Sequence, residues 1–177
     1  LAERFTAQFG REESEKIAAR FLEPAPLTLR LNRTKFIAAG EPAGVTEGLT
    51  QSPYVPDSFI AEEGLTEPIR QQLSAGLFFV QDLSSSLAVQ AAQPKPGERV
   101  LDLCAAPGGK SGHILESADC ELTAIDIDPQ RLQRVKDNLD RLGFKAELHC
   151  APAQDLAAWY DGRPFDAVLA DIPCTAS

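Results

Sequence analysis

The stretch VLDLCAAPGGK, which runs from Val100 to Lys110, decides the fold of this chain of 177 residues. Its first half is apolar and typical of a buried strand, and its two glycines open a helix predicted over 108–117. A second helix is predicted between Pro129, at its first position, and Gly143, at its end. Strands are predicted over 100–104, 122–127, 146–150 and 165–171. Strands that alternate with helices predict a parallel sheet with right-handed crossovers, and therefore an α/β fold.

The residues before this sheet predict a small N-terminal α+β lobe. A helix is predicted over 3–22, where large apolar residues share one face. Short strands are predicted over 27–32, 57–62 and 77–81. We therefore divide the chain into this lobe, 1–80, and the N-terminal part of a second domain, 81–177. The chain starts without a methionine and ends directly after a motif, so we interpret it as a fragment with a truncated sheet.

The composition disfavours several classes of protein. Apolar residues make up 44% of the chain, which is enough for a buried core and argues against disorder. No apolar stretch is long enough to cross a membrane, so we expect no membrane association. The four cysteines and two histidines lack the spacing of a zinc site. We expect no bound metal, reduced thiols in the cytoplasm and a monomeric protein.

The net charge of −9 argues against a broad nucleic-acid-binding surface, which is usually basic. Any contact with nucleic acid must therefore be local. Arg30, Arg33 and Lys35, which we call the basic segment, are candidates for contacts with RNA phosphates. A solvated strand face explains the same three residues equally well.

The loop after the first strand of the parallel sheet is the candidate ligand-binding loop. This glycine loop consists of Cys104, Ala105, Ala106, Pro107, Gly108, Gly109 and Lys110. It leaves a strand and opens a helix, which is where open parallel sheets bind ligands. Asp126 ends the next predicted strand, where a carboxylate can accept hydrogen bonds from a ribose. Together these features predict a nucleoside-containing ligand. A tight turn with a helix-capping acid is the alternative without a function.

Three nucleoside ligands compete for this site. A dinucleotide requires a G-x-G-x-x-G loop, which is absent here. The end of the loop, Gly109-Lys110-Ser111, resembles a phosphate-binding P-loop for ATP, but Cys104 stands where the first glycine belongs. S-adenosylmethionine carries no phosphate, and it requires a loop for its amino-acid end and an acid for its ribose. It is therefore the ligand that fits best.

Several segments resemble the RNA cytosine-5 methyltransferases of the Nol1/Nop2/Sun family. Asp102 to Lys110 resembles motif I of that family, Asp126 to Asp128 its motif II, and Asp171-Ile172-Pro173-Cys174-Thr175 its motif IV. Shorter matches lie at 29–32, an Arg-x-Asn signature, and at 80–85. The resemblance covers most of residues 20–177. It implies a Rossmann-like, S-adenosylmethionine-dependent methyltransferase sheet.

The resemblance also implies a reaction, the methylation of carbon 5 of cytosine in RNA, with 16S ribosomal RNA as the expected substrate. The cofactor would lie across the glycine loop, with its ribose on Asp126 and with Asp171 nearby. Asp171 would bind the cytosine edge, and Cys174 would assist release of the product. Chemistry alone would also allow Cys174 to be the attacking thiol. By the resemblance that thiol follows Ser177, so we expect the chain by itself to bind cofactor without turnover.

One departure from the family pattern and two alternative functions stay open. Pro152 stands where the family often has an acid near the adenine, and Asp155 is a candidate substitute. A P-loop-like nucleotidase and a noncatalytic RNA-binding module with the methyltransferase fold are the alternative functions.

Overall fold

The computed structural model describes residues 2–172, which form two four-stranded sheets. The first sheet is antiparallel and has the strand order β2-β3-β1-β4. Its strands are β1 (Leu27–Leu31), β2 (Thr50–Gln51), β3 (Ser58–Ala61) and β4 (Phe78–Val80). The predicted strands of the lobe are confirmed, with β2 as an addition inside a predicted loop. One apolar cluster, which includes Leu29, Phe59 and Phe78, forms the core of this sheet.

The helices of the lobe differ from the prediction. The single helix predicted over 3–22 is wrong, because Gly10 adopts a φ of 78° and separates α1 (Ala2–Phe9) from α2 (Arg11–Phe21). Two further short helices, α3 (Arg33–Ala38) and α4 (Glu67–Ser74), were not predicted. None of the helices within 2–172 has the length and hydropathy needed to cross a membrane.

The second sheet is parallel and has the order β7-β6-β5-β8. Its strands are β5 (Arg99–Leu103), β6 (Glu121–Asp126), β7 (Glu147–Cys150) and β8 (Ala167–Ala170). The helices around it are α5 (Leu83–Ala92), α6 (Gly109–Ser117) and α7 (Pro129–Leu142). The predicted α/β sheet is confirmed. Because the strands are parallel, their carboxyl ends lie at one edge, and the glycine loop, Asp126 and Asp171 all lie at that edge.

Helix α7 fits its sequence signals closely. Asp128 accepts hydrogen bonds from the backbone N–H groups of Gln130 and Arg131, and Gly143 ends the helix with a φ of 85°. Its buried residues, Val135, Leu139 and Leu142, pack towards the parallel sheet and α6. This packing places α7 directly beside the glycine loop.

Candidate functional site

The glycine loop makes a tight turn between β5 and α6. Cys104 and Gly108 have positive φ angles, 59° and 95°. A Cβ atom on Gly108 would lie 3.1 Å from the Cα of Val135, so both the turn and the packing against α7 require glycine there. Burial, followed by the negative charge of Asp126, raises the pKa of the Cys104 thiol. This thiol is therefore not activated for nucleophilic chemistry.

Side chains from both sides hold the carbonyl groups of the loop. Asn138 donates to the carbonyl of Pro107 at 2.8 Å, and Gln81 donates to that of Gly109 at 3.2 Å. Arg131 approaches the carbonyl of Ala106 at 3.5 Å. The first N–H groups of α6 have no carbonyl partner within the helix, as at any helix N-terminus. The loop thus directs acceptors into the protein and leaves donors of the first helical turn for a ligand.

Asp126 lies against this loop at the end of β6. It is only 2% exposed. Its Oδ2 accepts a hydrogen bond from the backbone N–H of Ala106 at 3.2 Å, and its Oδ1 accepts one from that of Asp128 at 3.1 Å. An ionised carboxylate has about four acceptor positions. The guanidinium of Arg131 also lies 3.5 Å from Oδ2. These contacts do not use all of the acceptor positions, so Asp126 fits the predicted cofactor.

Lys110 and Asp171 bring the far end of the loop to the end of β8. Their Nζ and Oδ2 atoms are 2.5 Å apart, with the lysine side chain 19% and the aspartate side chain 62% exposed. A cavity of about 240 Å³ adjoins this pair and is also lined by Ser84 and Ser85 at the start of α5. Lys110, the last residue of the glycine loop, thus pairs with Asp171. Cys174 lies outside the described residues.

Asp102 supports the site from beneath the loop. It is buried in β5 and accepts a hydrogen bond from Ser111 Oγ at 2.6 Å. Burial raises the pKa of Asp102 to about 6, although the bond from Ser111 and the charge of Lys110 oppose this shift. The bond ties β5 to α6 on either side of the glycine loop. Asp102 thereby helps to orient the loop.

His113 is a buried residue of α6. Its Nδ1 has no hydrogen-bond partner among residues 2–172. Burial and, secondarily, the charge of Arg30 lower the pKa of His113 to about 3. The imidazole is therefore neutral near pH 7.

The basic segment requires a correction, because two of its three cations are used inside the protein. The guanidinium of Arg30 donates to Glu116 at 2.5 and 3.0 Å and to the carbonyl of Pro56, and both charged side chains are at most 7% exposed. Its position therefore does not support the predicted contact with RNA. It joins β1 to α6 instead.

Lys35 also departs from the prediction, for a similar reason. Its ammonium donates to the carbonyls of Arg141, at 2.6 Å, and Ala75, at 3.0 Å. It thereby satisfies a free carbonyl at the C-terminus of α7, which the helix dipole also favours. Arg33 is the exposed member of the segment and pairs with Asp57 at 3.1 Å. Its contact with RNA stays a prediction.

Several residues that build the site were not predicted to contact the glycine loop. Gln81, Ser111, Arg131 and Asn138 each contact the loop or its supports. Ser111 and Asn138 carry a usable signal, because a polar residue in a helix beside a glycine loop is a candidate partner for loop groups. The candidate substitute on the adenine side, Asp155, is exposed after β7, and its role stays a prediction. Within the described residues, no group of three or more His, Cys, Asp or Glu side chains could hold a metal ion.

Comparison with known sequences gives a family. The model of the 16S rRNA methyltransferase RsmB/F family matches residues 89–177. The chain is similar to the ribosomal RNA small subunit methyltransferase B of Xylella fastidiosa, at 43% identity over 100% of this chain and 42% of that protein. The protein of the same name from Pseudomonas putida is 37% identical over 96% of this chain and 40% of its own length. The chain thus spans about two fifths of the length of these relatives.

Comparison with solved structures agrees with this result. A methyltransferase homologue from Pyrococcus horikoshii has a TM-score of 0.78 at 28% identity, over 98% of this chain and 58% of that chain. NSun6 from Pyrococcus horikoshii, solved with SFG, has a TM-score of 0.75 at 23% identity, over 99% of this chain and 70% of that chain, a likeness that concerns the fold. The predicted Rossmann-like methyltransferase architecture is confirmed. Because the family match includes the glycine loop, Asp126 and Asp171, the chain belongs to the 16S rRNA methyltransferase RsmB/F family.

Proposed function

We propose that the protein transfers a methyl group from S-adenosylmethionine to carbon 5 of a cytosine in 16S ribosomal RNA. The observation that carries this proposal is the contact between the glycine loop and the buried carboxylate of Asp126 at the carboxyl edge of the parallel sheet. The relatives' names, which specify small-subunit ribosomal RNA, support the substrate. We also propose that the activity takes place in the cytoplasm and that the protein is a monomer.

The cofactor would lie across the glycine loop and supply the methyl group. Asp126 would accept hydrogen bonds from the ribose hydroxyls with its remaining acceptor positions. The N–H groups at the start of α6 suit the carboxylate of the methionine moiety, because a helix N-terminus favours negative charge. Lys110 would add a positive charge at the same end of the loop.

The cytosine requires activation before it can accept a methyl group. Carbon 5 is a weak nucleophile, and addition of a thiolate to carbon 6 makes it enamine-like. The target base must also leave its stack to be reached. We assign Asp171 to the cytosine edge, beside the cavity at the start of α5. After methyl transfer, a base removes the proton from carbon 5 and the bond between the thiol and carbon 6 breaks, which restores the ring, and we assign Cys174 to this release of the product. The attacking thiol would come from a cysteine that follows Ser177.

The roles of the two thiols can be separated by trapping the covalent intermediate. In the full-length protein, Cys174→Ala should accumulate a covalent complex with RNA, because attack survives while release fails. A denaturing gel with labelled RNA and cofactor would show this complex as a slow band. If the variant binds RNA but loses both the complex and methyl transfer, Cys174 is the nucleophile and our assignment is wrong.

Methyl transfer itself tests the proposed function. We expect the full-length protein to transfer tritiated methyl groups to unmodified small-subunit ribosomal RNA, and the chain of 177 residues to bind cofactor without turnover. Comparable turnover by both proteins would contradict the placement of the nucleophile after Ser177. Absence of transfer by the full-length protein to any RNA would contradict the reaction.

A further inference from the structure

Gln81 occupies the junction between the N-terminal lobe and the second domain. It follows β4 directly, precedes α5 and is buried. Its backbone N–H donates to the carbonyl of Thr28 in β1 at 3.2 Å. The main chain of Gln81 is therefore fixed by the antiparallel sheet.

The side chain of Gln81 reaches in the opposite direction, towards the glycine loop. Its Oε1 accepts a hydrogen bond from Ser86 Oγ in α5 at 2.8 Å, and its Nε2 donates to the carbonyl of Gly109 at 3.2 Å. The second bond orients the amide, since the carbonyl of Gly109 can only accept, whereas the hydroxyl of Ser86 could donate or accept. This orientation directs the NH₂ group at the loop.

The backbone at Gly109 has few packing neighbours that could hold it in place, so the hydrogen bond from Gln81 is important there. A Cβ atom there would meet nothing closer than the carbonyl oxygen of Val80, at 3.8 Å. This contrasts with Gly108, whose place is set by close packing against Val135. The hydrogen bond from Gln81 thus restrains a loosely packed stretch of backbone. The next residue is Lys110, which bonds to Asp171.

We propose that Gln81 is a positioning residue, which sets the end of the glycine loop for the cofactor and Lys110 for Asp171. This inference rests on the proposed function. A positioning role differs from a purely structural one in its consequences. Loss of the donor should weaken cofactor binding at temperatures where the protein is fully folded, whereas a structural role would lower stability alone.

The test compares two bonds of the same amide in the full-length protein. Gln81→Met keeps the side-chain volume and removes the donor to Gly109, while Ser86→Ala keeps that donor and removes the bond on the α5 side. We expect Gln81→Met to weaken the affinity for S-adenosylhomocysteine by about 5–10-fold, the size of one net hydrogen bond. Ser86→Ala should stay within about twofold, since its effect on the loop is indirect. Gln71→Met, on the exposed face of α4, controls for the substitution itself.

The readouts are calorimetric titration with S-adenosylhomocysteine, thermal unfolding, and the KM and kcat for methyl transfer. We expect Gln81→Met to raise the KM for S-adenosylmethionine more than it lowers kcat. Equal affinities for Gln81→Met and wild type would overturn the inference, whatever the change in stability. If wild-type protein itself fails to bind S-adenosylhomocysteine, the proposed function is contradicted instead.

Discussion

The glycine loop and the basic segment are both short stretches that the sequence predicts to be binding sites. The backbone groups of the first and the cationic side chains of the second are used in different ways. The loop directs its carbonyls to Asn138 and Gln81 and leaves N–H groups at the start of α6. In the basic segment, Arg30 pairs with Glu116, and Lys35 donates to the carbonyls of Arg141 and Ala75. A group can serve a ligand only where its internal partners leave some of its hydrogen-bonding capacity unused, as the two backbone N–H groups do at Asp126.

The largest expected effect concerns the buried cation of the basic segment. Glu116→Ala leaves Arg30 buried without its counter-charge, so the free energy of unfolding should fall by about 3–5 kcal/mol. Chemical denaturation measures this loss. Arg33→Ala is the matched control, because its partially exposed pair with Asp57 should contribute at most about 1 kcal/mol.

A double variant sharpens this expectation. Burial raises the pKa of Glu116, and the adjacent Arg30 only partly opposes it, so the pair does not fully offset its cost of desolvation. Arg30→Met with Glu116→Leu should therefore recover much of the stability that Glu116→Ala loses. If Glu116→Ala costs no more than Arg33→Ala, Arg30 is not held by this pair, and its prediction as an RNA contact regains support.

The next effect concerns the carboxylate beside the glycine loop. Asp126→Ala should weaken S-adenosylhomocysteine binding by about 1.5–3 kcal/mol, the scale of hydrogen bonds to a charged group. Titration calorimetry measures the affinity. Asp128→Ala is the control, because that carboxylate caps α7 and should affect stability rather than affinity. If Asp128→Ala weakens the affinity for S-adenosylhomocysteine more than Asp126→Ala does, the ribose binds to Asp128.

Asp102 gives a pH-dependent effect of intermediate size. Its pKa is about 6 in the folded chain against an ordinary value of 3.8, so ionisation costs more in the folded state, and stability falls as the pH rises from 3.8 to about 6. When the pH is raised from 4 to 8, the free energy of unfolding of Asp102→Asn should therefore increase by about 1–3 kcal/mol relative to that of wild type. Denaturation curves at both pH values measure this gain.

The buried imidazole of His113 does not disturb this comparison. Its lowered pKa of about 3 has the opposite effect, since stability is lost as the pH falls from 6.5 towards 3. The effect of His113 is present in both Asp102→Asn and wild type, so it cancels in the difference between their free energies of unfolding. A constant difference between Asp102→Asn and wild type across the range would show that Asp102 does not carry the shifted pKa.

The smallest effect concerns the exposed member of the basic segment. In the full-length protein, Arg33→Ala should reduce the slope of log affinity for RNA against log salt by about 0.7–0.9, as for the loss of one phosphate contact. Lys35→Ala should leave the slope unchanged, because its ammonium already binds two carbonyls. An unchanged slope for Arg33→Ala would remove the last member of the segment from the proposed RNA contacts.

Elements of the structure could be predicted from the sequence where their signals are local. The predictions failed where partners distant along the chain determine the contacts of a residue. Helix α7 could be predicted because Asp128, Pro129 and Gly143 mark both of its ends within one continuous stretch. The same holds for the glycine loop and for Asp126, which follow successive strands of one sheet. Arg30 was misjudged because its partner, Glu116, lies 86 positions away on α6, beside the other sheet.

The remaining misses have a similar origin. Gly10 separates α1 from α2 although the apolar pattern continues across it, because glycine readily adopts a positive φ. The short helices α3 and α4 lie between loops and are too short for a clear periodic pattern. The contact of Gln81 with Gly109 joins two segments whose relation depends on the packing of the whole fold.

The central claim is that the glycine loop and Asp126 bind S-adenosylmethionine, and one titration tests it most directly. Wild-type protein should bind S-adenosylhomocysteine at a single saturable site by calorimetry, and should show no heat of binding with ATP and magnesium, because the loop lacks the first glycine of a phosphate-binding loop. Saturable binding of ATP with magnesium, without binding of S-adenosylhomocysteine, would contradict the account.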